Sequence, residues 1–350
     1  MNVVDAPQPQ NAASAANAGC NPFLGARPFL APPLDFQLFG DRRADCQALQ
    51  ALIAANRVVI LHGGAGSGKT SLLHAALLPE LAASGCKLLE LPAGWPDEQL
   101  RAWFAQAQPA AFATPCVLVV DPADEIAADG ALCLQRCREL LAAAPLLHIL
   151  FCLRSAAAAT LELALQRADV AVVQYALDGL LPAQLELTLS AKMGGASDAA
   201  GAAARFIAAL RQPADHKLIE PAMLQITGRA LWPWLDDTPA GLNQRVDDAL
   251  AEHCVLSIDA ALARHPGLTS ARELAAWMTR HLALDAGVQT LVHRGAIESA
   301  GLPNARSMRW KTVGCCAPIP AAAVAGLVCS TRGSLCRCST HLRAWLRPHR

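Results

Sequence analysis

The spacing of apolar and polar positions changes several times along the chain. Residues 1–20 are rich in Ala, Asn, Gln and Pro with no sustained apolar period, so they are expected to form a leader that does not pack. A turn-rich segment follows, Asn21-Pro22-Phe23-Leu24-Gly25-Ala26-Arg27-Pro28-Phe29, with two aromatic anchors. A helix carrying Leu49, Leu52 and Ile53 is predicted next. The β-branched run Val58-Val59-Ile60-Leu61 then reads as a strand, and Leu72, Leu73, Ala76 and Leu77 recur at helical spacing. Further strands are predicted over residues 86–91, 116–120, 148–153 and 170–175. Helices are predicted over 98–107, with Leu100, Trp103 and Phe104 on one face, and through Leu134, Cys137, Leu140 and Leu141. Strands alternating with helices predict an α/β fold with a mostly parallel five-stranded sheet covered on both faces.

Beyond Leu177 the pattern turns helical, over residues 182–193, 200–210, 219–231, 242–262 and 272–281. The expected organisation is a leader (1–20), an α/β core (21–177), a helical lid (178–235) and a winged-helix module (239–305). The tail, 306–350, is of another kind. It holds eight basic residues, no Asp or Glu, and Cys315, Cys316, Cys329, Cys336 and Cys338, with neither helical nor strand period. That abrupt change is what a segment read in a shifted frame would show, and no function is assigned to it.

Composition narrows the picture. Of 350 residues, 53% are hydrophobic and 17% charged, which suits globular cores and exceeds what one core usually absorbs. Lys plus Arg equals Asp plus Glu at 29 each, so no overall field draws the chain to nucleic acid or acidic membranes. The first 20 residues lack the basic and apolar parts of a secretory signal. The longest apolar stretch, 140–153, is too short to span a bilayer and contains Pro145 and His148. A cytoplasmic chain with reduced cysteines is therefore expected. The ten histidines offer no metal-ligand spacing.

The sharpest signal is Gly63-Gly64-Ala65-Gly66-Ser67-Gly68-Lys69-Thr70, which fits G-x-x-x-x-G-K-[ST] between a predicted strand and a predicted helix. Glycines let successive backbone N–H groups converge on phosphate oxygens, with a helix N-terminus behind them. Lys69 is expected to reach the terminal phosphates, Thr70 to ligate Mg2+, and Ser71 to complete the phosphate-binding set. Val117-Leu118-Val119-Val120-Asp121 is an apolar strand ending in a carboxylate, the arrangement that holds Mg2+ through water. Glu125 is the first candidate for polarising an attacking water and Asp124 the second. Arg154 ends the fourth predicted strand, where a cation can sense a γ-phosphate. Without an N-K-x-D or T-K-x-D after that strand, ATP/ADP rather than a guanine nucleotide is the expected ligand.

These segments together resemble the novel STAND class of P-loop signal-transduction ATPases over residues 21–305. Asn21-Pro22-Phe23-x-Gly25-x-Arg27-Pro28-Phe29 and Phe39-Gly40 look like its amino-terminal motif, although Asp41 stands where its arginine usually follows the glycine, with Arg42 one place later. Asp121-Pro122-Ala123-Asp124-Glu125 is similar to its extended Walker B and Leu153-Arg154-Ser155 to its sensor arginine. Tyr175 to Leu180 is similar to its linker, and Glu220-Pro221-Ala222-Met223-Leu224-Gln225 to the helical motif whose proline, here Pro221, packs near adenine. The resemblance implies an ATP-dependent switch that hydrolyses slowly, self-associates when active and answers to a sensor or effector protein. Two other expectations stay open, an AAA+ ATPase acting on DNA and a non-hydrolysing scaffold.

Overall fold

The computed structural model describes residues 21, 23–25, 28–29, 42–64, 66–92, 114–124, 131–192, 198–211, 218–232, 239–264, 298–299 and 302–303. The predicted helices over 98–107 and 272–281, the leader and the tail all lie outside the described residues. Five strands form the sheet: β1 (Val58–Gly63), β2 (Lys87–Pro92), β3 (Cys116–Asp121), β4 (Leu147–Arg154) and β5 (Val173–Ala176). They lie in the order β2-β3-β4-β1-β5, and every pairing is parallel. The α/β sheet expected from the sequence is thus present. β4 sits between β1 and β3, with Gly63 in register with Arg154 and Val120 with Phe151.

Strand side chains alternate between two separate cores, as the period of two requires. Val58, Ile60, Leu118, Val120, Ile149, Phe151 and Leu153 face one of them. Helices α4 (Ala131–Ala143) and α5 (Ser155–Arg167) cover it with Cys133, Cys137, Leu140, Ala158, Leu161 and Leu165. Val59, Leu61, Val117, Val119, Leu150 and Cys152 face the other. It is closed by Cys46, Leu49 and Ile53 of α1 (Arg43–Ala55) and by the helix after the glycine loop. Cys46, Cys86, Cys116, Cys133, Cys137 and Cys152 are free thiols, and all six but Cys86 are buried.

The helix after the glycine loop changes pitch along its length. It begins as α2 (Lys69–Leu72), widens to a π-helical turn over Leu73–Leu77, and continues as α3 (Leu78–Ala83). Leu78 N–H reaches back to Leu73 O. Pro79 explains the widening: it has no N–H to give Ala75 O, and its ring would strike that carbonyl in a regular helix. The extra residue keeps Leu72, Leu73, Ala76, Leu77 and Leu78 all buried.

Three details differ from the sequence reading. α5 had no strong signature, because its buried stripe is only Ala158, Leu161 and Leu165 in an alanine-rich run. β5 starts at Val173, since Asp169 turns at φ 57° and delays pairing. Ile219 forms an antiparallel bridge with Leu180 instead of starting a helix. The following helix starts at Pro221, whose missing N–H costs nothing at that position.

Beyond β5 the chain forms α6 (Pro182–Lys192), α7 (Ala199–Leu210), α8 (Pro221–Leu231) and α9 (Pro239–Arg264). A short antiparallel pair, β6 (Glu298–Ser299) and β7 (Leu302–Pro303), lies later in the chain. Asp198 caps α7 by accepting the Gly201 N–H. The segment around residues 21–29 straps α8 to the core. Leu24 N–H donates to Gln225 Oε1 at 3.0 Å, Arg229 Nη1 to Leu24 O at 2.9 Å, and Asn21 Nδ2 to Arg229 O at 2.9 Å. Phe23 packs edge-on against Phe206 and Trp232. At its far end Phe29 is buried against the core and donates its N–H to Ser71 Oγ at 3.1 Å.

Gly228 lets the Phe23 ring lie directly on α8, since a β-carbon there would come within 2.6 Å of two ring carbons. Gly228→Ala is therefore expected to destabilise the protein by about 1–3 kcal/mol, the usual cost of overpacking. Denaturant unfolding measures this; an unchanged midpoint would contradict the close packing of the strap.

Candidate phosphate-binding site

The carboxyl edge of a parallel sheet is where main-chain polarity and ligands meet, and β1 ends there in Gly63. A β-carbon on Gly63 would lie 2.6 Å from Leu177 O and from Ser67 Oγ, so the turn tolerates no side chain. Gly66 and Gly68 adopt φ of 78° and 92°, the left-handed region that glycine enters at little cost. Gly68 also forms the N-cap of α2, and Ser67 N–H closes the turn on Gly64 O at 3.3 Å. The loop is thereby bent so that main-chain donors and a helix N-terminus lie at one place, the chemistry an anion needs. Ala65 lies outside the described residues.

Lys69 Nζ donates to Gly63 O at 3.1 Å and Gly64 O at 2.8 Å, spanning the loop. Burial lowers its pKa below the ordinary lysine range, and Arg154 adds to this, while Cys152, Asp124 and Asp121 oppose it. Thr70 Oγ1 donates to Asp121 Oδ2 at 2.9 Å. The sequence-predicted magnesium ligands, from α2 and β3, are thus in direct contact across the sheet edge. Two hard oxygen donors side by side next to a phosphate cradle fit Mg2+, which takes few protein oxygens and keeps waters and phosphates. Among the described residues, no cluster of three or more His, Cys, Asp or Glu could hold a metal by itself.

The other predicted residues fall around this pair. Asp124 Oδ1 accepts the Arg154 N–H at 3.2 Å, so that carboxylate holds the β4–α5 turn where Arg154 leaves the sheet. Arg154 itself is exposed, in register with Gly63. Glu125 lies outside the described residues. Ser71 Oγ is taken by the Phe29 N–H. Pro221 is buried at the first turn of α8, and its neighbours meet the loop: Ala222 N–H donates to Gly66 O at 3.2 Å. A β-carbon on Gly66 would collide with Glu220 Oε1 and lie 2.9 Å from Ala222 Cβ.

Several residues of the site carried no clear sequence signal for the place they take. Arg42 is 4% exposed and donates to Asp45 Oδ2 at 3.0 Å, to Ser67 O at 3.3 Å and to Asp178 O at 2.7 Å. Tyr175 O–H donates to the other Asp45 oxygen at 2.6 Å, and burial with that carboxylate raises the phenol's pKa. His62, one residue before the loop, lies 3.2 Å from Ser155 Oγ. Burial and the nearby Lys69 lower its pKa, against an opposing effect of Asp178. Cys152 lies beneath Asp121, its thiol pushed well up by burial and by that carboxylate. The family resemblance marks Arg42 and the segment from Tyr175 to Leu180, but neither those motifs nor a cysteine inside an apolar strand gives a pattern from which such contacts could be read.

A family model described as Novel STAND NTPase 1 matches residues 22–184. The chain has no sequence match among curated proteins. Among solved structures it is similar to a Walker-type ATPase of Pyrococcus abyssi, at 14% identity over 91% of this chain and 98% of the other, with a TM-score of 0.48. It is also similar to the Trip13 protein of Rhizobiales, at 18% identity over 64% of this chain and 97% of the other, with a TM-score of 0.44. The ORC1 protein of Aeropyrum pernix, solved in complex with DNA, shares 14% identity over 69% of this chain and 72% of the other, with a TM-score of 0.44. Residues 22–184, which carry the glycine loop and all five strands of the sheet, are thus similar to the Novel STAND NTPase 1 family.

Proposed function

We propose that the chain is an ATP-dependent molecular switch that binds ATP or ADP with Mg2+, hydrolyses ATP slowly and reports the bound nucleotide through its helical lid. The observation that carries this reading is the lid helix α8, whose first residues rest on the phosphate loop at Gly66 beside the Thr70–Asp121 pair. A lid seated on the loop itself has to respond when phosphates occupy it. Glu220 brings a carboxylate to the same place, and a carboxylate and a polyphosphate repel one another. The triphosphate, with one more charged group, would load that contact more than the diphosphate does.

In this reading Gly63, Gly64, Ala65, Gly66, Ser67 and Gly68 bind phosphates through the main chain, with Ser71 beside them. Lys69 neutralises the terminal phosphates, and Thr70 and Asp121 hold Mg2+. Pro221 lies near the adenine, and Arg154 senses the γ-phosphate. Glu125 takes a proton from the water that attacks the γ-phosphorus, and the bond to the ADP oxygen breaks. Asp124 fixes the turn that presents Arg154. Residues 178–235 act as the lid and 239–305 as a winged-helix module, and the active state self-associates and engages an effector in signalling or defence. Among the described residues no helix is long and apolar enough to cross a membrane.

Purified protein is expected to retain ADP, and Lys69→Ala to lose it, with at least roughly tenfold weaker nucleotide binding by titration calorimetry, because charge-assisted hydrogen bonds are removed. Rapid multiple turnover without any stimulus would count against a switch. Asp121→Asn is expected to bind ADP much as wild type does without Mg2+ but to lose the gain in affinity that Mg2+ confers. An undiminished Mg2+ effect would remove Asp121 from the metal site. Gly66→Ala forces a disfavoured φ and drives a methyl group into Glu220. It should lower both nucleotide affinity and thermal stability, the latter by about 1–3 kcal/mol; wild-type values for both would show that the lid does not bear on the loop.

A further inference from the structure

A closed ring of contacts surrounds the crest of the phosphate loop, and one guanidinium completes it. Arg42 Nη2 donates both to Ser67 O on the loop and to Asp178 O, just past β5. From Asp178 the chain passes Gly179, where a β-carbon would meet Ile219 O at 2.9 Å, to the paired main-chain bonds between Leu180 and Ile219 at 2.7 and 2.8 Å. Ile219 leads directly into Glu220, Pro221 and Ala222, and Ala222 N–H returns to Gly66 O, next to Ser67. Loop, Arg42, linker and lid are thus joined in a circuit with no long gap.

We propose that Arg42 is a positioning residue that ties the phosphate loop to the strand-to-lid linker, so that nucleotide and lid sense one another through its guanidinium. This rests on the nucleotide reading above. A trans peptide points its C=O and N–H in opposite directions. Holding Ser67 O toward Arg42 therefore turns the Gly68 N–H away from Arg42, toward the phosphates. The same nitrogen holds Asp178 O, so a shift of the loop is felt at the linker.

The orientation of this arginine is set from behind. Asp45 accepts Nη1 with one carboxylate oxygen and the Tyr175 O–H with the other, which anchors the guanidinium to α1 and β5. Arg42 Nε is buried with no hydrogen-bond partner among the described residues, so the three contacts of its two terminal nitrogens fix its place. A planar fork suits acceptors on three separate segments, whereas a lysine's single ammonium cannot span them while facing Asp45.

The test uses the full chain, with titration calorimetry of Mg-ADP and Mg-ATP and with hydrogen–deuterium exchange of the 218–232 peptide. In wild type, saturating ADP should slow exchange in both the phosphate loop and α8. In Arg42→Lys the dissociation constant should rise about tenfold, for loss of charged hydrogen bonds, and at saturating ADP the loop should still be protected while the gain at α8 is lost. Asp45→Asn, which leaves the loop and linker contacts in place but loosens the orientation, should shift both readouts the same way by less. It serves as the second variant should Arg42→Lys not fold. Wild-type affinity and wild-type protection of α8 in the variants that fold would overturn the tie alone. Failure of wild type to bind either nucleotide would remove the reading of the site and the tie together.

Discussion

Main-chain groups at the carboxyl edge of a sheet buried on both faces must find partners in the loops above it, and this requirement organises the whole region around the glycine loop. Leu177 N–H returns to His62 O at 2.7 Å and Ala123 N–H to Cys152 O at 2.7 Å, so strand-like bonding continues past the last paired residues. Where the backbone cannot supply a partner, a side chain does: Asp124 takes Arg154 N–H, and Arg42 takes Ser67 O and Asp178 O. An unpaired buried amide or carbonyl would cost about 1–3 kcal/mol. The glycine loop directs its donors to a common point, and the β1–β4–β3 order sets that point beside Asp121.

The electrostatics of the site follow from this geometry. Lys69 is held on loop carbonyls in a largely desolvated place, and its folded pKa is lowered chiefly by burial. A lysine with a depressed folded pKa penalises the folded state in full below that folded pKa, and the penalty fades as pH rises from the folded to the unfolded pKa. Burial thus disfavours the charged form of Lys69, an anion bound beside it would favour that form, and any ligand binding only the folded state adds to its stability. The Cys46 thiol shows the opposite sign. Burial and Glu80 push Cys46 up to about 12, which keeps it a neutral core residue whose S–H donates to Glu80 at 3.4 Å.

Much of the α/β core was legible because both signals on which it rests are local. The strands are continuous apolar runs, as burial on two faces requires, and the phosphate loop is a contiguous octapeptide whose glycines answer to specific backbone angles. The Thr70–Asp121 contact could be anticipated because each residue ends or begins an element whose type was plain. Arg42, Tyr175, Asp45 and Asp178 could not be assembled in the same way. Their contacts span up to 136 positions, and nothing in the spacing of a single arginine says that two carbonyls await it. The bond that the Ser71 hydroxyl accepts from Phe29, 42 positions earlier, was hidden for the same reason. α5 was hidden by alanine, which favours helix yet marks no face.

The difference in how core and lid are held bears on the proposed switch. The sheet is bound by uninterrupted parallel ladders and two apolar clusters. The lid's hold on the loop and strap is of another order. It includes Ala222 on Gly66, the Leu180–Ile219 bridge, the polar contacts of Asn21, Leu24, Gln225 and Arg229, and the Phe23 ring against Phe206 and Trp232. Each hydrogen bond contributes about 1 kcal/mol net, and an apolar side chain of this size about 1.5–3 kcal/mol when buried. Those six hydrogen bonds and one ring sum to about 7–9 kcal/mol before the cost of ordering the lid is set against them, and a ligand shifts such a balance through its differential affinity for two states. A lid held far more tightly would ignore the nucleotide. One held more loosely would not rest on Gly66 at all, and in the proposed switch the strap, joined to Ser71 at one end and to α8 at the other, would help to set that balance.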